Sequence, residues 1–152
     1  MPALRGDRAL IGNLGAIDRV TAASLDGVAR ESLEPMRGDI QRNARRLRRD
    51  IKRPRGGHLD EGIVVRKIRG SGKAFREFWV ALSRRARSIG HMVELGTAPH
   101  WQPRRFGGYM HPGARPKPFF APGFESGKDE TIHIIARRTW ATISSAIRFV
   151  RQ

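Results

Sequence analysis

The sequence predicts an α+β fold, and three observations carry that prediction. Apolar residues recur at helical spacing in the first third of the chain and again after residue 128. Between residues 63 and 95 the apolar residues are β-branched or alternate. A stretch rich in Pro and Gly then separates the last strand candidate from the last helix. The order helix, strands, helix, with no internal repeat, reads as one domain, which suits 152 residues.

Residues 1–16 read as an N-terminal arm broken by Gly6, Gly12 and Gly15, with at most one helical turn around Ala9 to Leu14. Residues 17–152 form the single domain. Ile17 to Ile51 read as a long helix, kinked near Pro35, where a ring replaces a backbone donor. In its second part Ile40, Ala44, Leu47 and Ile51 share one face, while Arg42, Arg45, Arg46, Arg49 and Arg53 fall on the other. Pro54 and Gly56-Gly57 end it. Ile63 to Ile68 is β-branched and reads as a strand. Gly70-Ser71-Gly72 is a turn, and Lys73 to Ser83 is a second strand. With Phe75, Trp79 and Ala81 on one face and Phe78, Val80 and Leu82 on the other, that strand reads as covered on both sides. Arg84 to Arg87 read as a basic turn. Ile89, His91, Val93 and Leu95 alternate and predict a third strand over 88–95. The expected sheet is thus a small antiparallel meander of three to four strands. An extended loop over 96–118 follows, of a length that is usually functional. Ser126 with Asp129 resembles a helix start, and the C-terminal helix carries Ile132, Ile135, Ala136, Trp140, Ile143 and Ile147 on one side.

Lys and Arg total 30 against 14 Asp and Glu, a net charge of +16, and Arg far outnumbers Lys. Such a field attracts polyanions or acidic protein surfaces. Between Arg42 and Arg55 lie eight basic residues and one acid, Asp50. A merely solvated face would carry interleaved acids, because like charges three or four apart repel. The stripe therefore reads as facing DNA or an acidic partner. No aromatic interrupts it, which argues against base stacking there.

The absence of cysteine removes disulfides, thiolate metal sites and cysteine nucleophiles. No apolar run reaches the ~20 residues of a membrane span, and the first 16 residues lack an apolar signal core. The expectation is a soluble, intracellularly made protein. Arg5-Gly6-Asp7 reads as a chance tripeptide in an Arg- and Gly-rich chain. His58, His91, His100, His111 and His133 show no zinc-ligand spacing, although His100 and His111 flank one loop. Asp60, Glu61, Glu77 and Glu94 suggest no catalytic pair, and no phosphate-binding or nucleophile motif occurs. The reading is no enzyme and no cofactor.

Three motifs then occur in a specific order. Gly56-Gly57-His58-Leu59-Asp60-Glu61-Gly62-Ile63 occupies the place of a TGxLxxSI turn into a strand. Met92 to Pro99 looks like a YVEFGT strand end. Ala114 to Phe124 looks like ARPFLRPAF, with a charged helix behind it. With a basic helix upstream, the set resembles the neck or tail-completion proteins of long-tailed double-stranded DNA phages, over roughly Ile17 to Ile147. This chain departs from the pattern at Gly56, at Gly62 and in a longer segment from His100 to Gly113. The resemblance implies a structural head-tail connector component in the virion neck, made in the host bacterial cytoplasm. It implies a homo-oligomeric ring, with a hexamer favoured over a dodecamer. It also implies contacts to neighbouring connector and tail terminator or tube proteins, and DNA in the lumen. In that setting Glu94, Gly96, Thr97, Trp101, Phe106, Tyr109, Arg115, Pro116, Phe119, Phe120 and Phe124 are the candidate subunit or partner contacts. Alternatively, the three phenylalanines cap the protomer's own core. The other functional reading is a small basic nucleic-acid-binding module outside any virion.

Overall fold

The computed structural model describes residues 12, 15, 24–50, 57–68, 77–103 and 107–150. Of the predicted arm, Gly12 and Gly15 fall within these, and both are helical. Residues 24–32 form helix α1. Leu33 is a turn, and helix α2 runs over Glu34–Arg46 with Pro35 in its first turn, where the missing N–H is harmless. The N-terminal helix is therefore long and bent next to Pro35, as the proline predicts. A tighter 3-10 turn, Leu47–Arg49, continues α2. A second one, Leu59–Gly62, leads into strand β1, Ile63–Lys67. Strand β2 is Phe78–Leu82 and pairs with β1 antiparallel, Ile63 opposite Leu82 and Lys67 opposite Phe78.

Three expectations fail beyond this point. Residues 88–95 are not a strand: helix α3 spans Arg84–Leu95, and the supposed basic turn is its first turn. Ser83 accepts the Ala86 N–H and caps it. Ala86, Ile89, Gly90 and Val93 face inward at helical spacing, whereas His91 and Leu95 face solvent. Among the described residues there is then no meander: four strands form two separate two-stranded sheets, and β2 has one bare face, where Trp79 is exposed and its indole N–H donates to Glu77 at 2.7 Å. The third failure is the loop over 96–118, which contains a hairpin of β3, His100–Gln102, and β4, Tyr109–His111, closed at its base by a Thr97–Ala114 bridge. Gly96 ends α3 at φ 73°, a left-handed conformation that side chains resist. A Cβ there would also stand 2.5 Å from the Ala114 carbonyl oxygen.

The last helix, α4, spans Phe120–Val150 and starts six residues earlier than Ser126 suggests. Pro122 lies in its first turn rather than in the extended segment. Ser126 instead donates to Asp39 at 2.8 Å. The core joins Met36, Ile40 and Ala44 of α2 to Leu59, Ile63, Ala86 and Phe119. On its α4 side the approach is close: a Cβ at Gly123 would lie 2.6 Å from Ile40 Cα, and one at Gly127 would lie 2.6 Å from Met36 Cα. Two glycines four apart thus let α4 press against the α2 backbone. Thr131 extends this inner face, buried with its hydroxyl unbonded, and Arg138 pairs with Glu31.

Candidate assembly and anion-binding surfaces

The motif residues 93–124 converge on one carboxylate. Glu94, on the last turn of α3, accepts the backbone N–H groups of Phe119, Phe120 and Ala121 at 2.8, 2.9 and 3.0 Å. Those groups open α4, where backbone donors have no partner within the helix. The negative charge also meets the positive end of the α4 dipole. Lys117 N–H donates to the Val93 carbonyl at 2.8 Å, so Arg115, Pro116 and Pro118 run as a strap along α3. Phe119 is 1% exposed and packs edge-on against Phe120 inside the protomer's own core. Of the three phenylalanines, Phe119 is wholly internal, Phe120 half-buried and Phe124 exposed. Glu94, Gly96 and Thr97 hold the protomer together internally, through the cap and the hairpin base.

The hairpin carries the remaining aromatics. Trp101 and Met110 are cross-strand partners, and both are more than half exposed, Trp101 at 61%. On its other face His100 and His111 stack with ring centroids 5.1 Å apart, and Tyr109 is 6.2 Å from His111. The two histidines do meet. His111 Nδ1 accepts the Gly113 N–H at 3.0 Å, and His100 Nδ1 bonds the Ala98 carbonyl. Phe106 lies outside the described residues.

The arginine face is divided in function. Arg42, Arg45, Arg46, Arg48 and Arg49 line an open concavity of about 600 Å³; Arg53 lies outside the described residues. Arg48 turns inward, its Nε and Nη2 donating to the two oxygens of Asp60 at 2.9 and 2.7 Å and Nη2 to Glu61 at 3.3 Å. Arg45 reaches Asp60 at 3.5 Å. Asp60 is 1% exposed. Burial pushes its carboxyl up, but the bonds and charge of Arg48, with a backbone bond and Arg45, outweigh it and hold the group below the ordinary range. Arg42 pairs with Asp39. Arg46 and Arg49 have no ion pair among the described residues. The sequence reading missed Asp60 and Arg48. No period or motif marked either one: Asp60 is buried because the 3-10 turn Leu59–Gly62 packs against α2, where Gln41 also bonds the Asp60 carbonyl.

Helix α4 also carries exposed apolar residues. At 3.6 residues per turn Ile132, Ala136, Trp140, Ile143 and Ile147 form a strip ~80° wide, opposite Gly123, Gly127 and Thr131. Trp140 is 72% exposed, and Ile132 and Ile147 are exposed as well. No helix among the described residues is long and apolar enough to cross a membrane. No protein-family model, curated protein or solved structure matches the chain.

Proposed function

We propose that this chain is a structural, non-enzymatic component of a long-tailed phage neck, assembling into a homo-oligomeric ring that joins head to tail. The observation that carries the reading is the outer strip of α4, with Trp140 bare at its centre. Ile143 within the strip is half-buried, but Ile132, Trp140 and Ile147 are open together, and monomeric soluble proteins rarely group large apolar residues on the surface in this way. A second apolar set, Trp101 with Met110 on the hairpin and Leu95 at the end of α3, lies on different elements. Two unlike patches suit head-to-tail contacts, which close into rings, better than a two-fold contact of one patch with itself. The ordered motifs supply the neck assignment. A six-fold ring, matching tail symmetry, is the favoured form and a twelve-fold ring the alternative. Connector and tail terminator or tube proteins are the neighbours.

Native mass spectrometry with negative-stain imaging tests this. The wild-type chain is expected to form closed rings alone or on a neck partner, and Trp140→Glu to leave folded monomers. A wild-type chain that stays monomeric and joins no head, tail or neck component overturns the reading. The second reading, a free nucleic-acid-binding module, is favoured by the arginine concavity alone. It predicts a functional monomer.

A further inference from the structure

The arginine concavity has a construction that a solvated helix face does not need. Arg42, Arg45, Arg46 and Arg49 recur at helical spacing along α2 and its 3-10 extension, and all are exposed. Their mutual repulsion costs a few tenths of a kcal/mol per pair. The C-terminal end of the helix dipole offsets part of that. Below them, buried Asp60 fixes Arg48 through both oxygens and steadies Arg45. Arg48, and more loosely Arg45, are thereby held from the inside and Arg42 is held by Asp39, while Arg46 and Arg49 stand exposed and open to a ligand. Among the described residues, five guanidinium groups face three carboxylates, those of Asp39, Asp60 and Glu61, which leaves a net positive charge.

We infer that this concavity binds the phosphodiester backbone of double-stranded nucleic acid without reading its sequence. Three features select that ligand. Planar guanidinium groups match phosphate oxygens two at a time. Among the described residues arginines alone line the concavity, without the apolar or aromatic anchors that dominate protein interfaces. Among the same residues there is no aromatic platform of the kind on which single strands stack. The span from Arg42 to Arg49 is about 10 Å along the helix, the axial reach of about three base pairs. The inference does not depend on the ring, since one protomer carries the whole concavity.

The test is fluorescence anisotropy of a labelled duplex of about 20 base pairs with the full chain across a salt series, because each lost phosphate contact flattens log K against log salt by about 0.9. Arg46→Gln with Arg49→Gln is expected to flatten the slope by about 2 and weaken binding at least tenfold at low salt. Arg84→Gln with Arg85→Gln removes the same charge from α3 and is expected to leave the slope unchanged. Three results overturn the inference: a groove variant with the wild-type slope, a control variant that loses as much, or poly-glutamate displacing the duplex at equal charge concentration. Circular dichroism confirms that each variant is folded, and native mass spectrometry of the same samples reports assembly. Loss of duplex binding with rings intact, or the reverse, separates the two proposals.

Discussion

The two sides of α4 are used differently. The inner side presses Gly123 and Gly127 against α2, with Thr131 buried beyond them and Phe120 and Ile134 half-buried on the same arc. The outer side holds Ile132, Trp140 and Ile147, all large and apolar. A fold that needed α4 only for its own core would place these residues the other way round. The inner contact is won by proximity of two backbones at the glycines, while the bulkiest side chains of the strip stand open on the outer side. The arginines repeat the division: Arg48 is turned onto buried Asp60, whereas Arg46 and Arg49 are exposed and have no ion pair among the described residues.

Filling the inner side breaks the contrast most severely. Gly127→Leu must push α4 off Met36 and is expected to cost about 3 kcal/mol. Thermal unfolding followed by circular dichroism would show this as a fall in Tm of ~10 °C. Glu94→Ala leaves three backbone donors at the start of α4 without their acceptor, and an expected loss of about 2 kcal/mol is readable by urea titration. Hydrogen exchange at Phe120 and Ala121 should accelerate with it. Asp60→Asn weakens the inward arginine pair by about 1.5 kcal/mol. It should also change the acid limb. The unfolded chain protonates Asp60 near the ordinary 3.8, and the folded chain only at lower pH. Stability from this group is therefore complete above 3.8 and falls as pH drops through the folded-state value. Tm measured from pH 5 downward should decline more steeply in the wild type than in Asp60→Asn. The smallest effect on stability belongs to the outer side: Trp140→Glu should change it by no more than about 0.5 kcal/mol while abolishing self-assembly.

These contrasts explain what was legible in the sequence. The α2 stripe was legible because Ile40 and Ala44 bury bulk at a clear helical period. Strand β1 was legible because Ile63, Val64 and Val65 are β-branched. Helix α3 was not, because exposed His91 and Leu95 alternate with inward Ile89 and Val93 and imitate a strand; Ser83 was the better signal, as a cap. The hairpin was hidden by strands of three residues each, too short to set a period. The inner face of α4 was hidden for a physical reason: glycines that permit contact carry no hydrophobic signal and read as interruptions. Of the candidate contacts, Trp101 and Phe124 are exposed where a neighbour could meet them. Glu94 and Phe119 are consumed by the protomer, a use that only the three-dimensional meeting of α3 with α4 reveals.

The Glu94 cap has a geometric consequence. It rivets the end of α3, and with it the hairpin that follows, to the start of α4. The hairpin patch and the α4 strip are therefore fixed at one angle. In a head-to-tail assembly that angle is the curvature each copy contributes, and closure occurs when the copies complete one turn. A single carboxylate would then act as the protractor of the ring: loosening it should broaden the distribution of copy numbers before it prevents assembly.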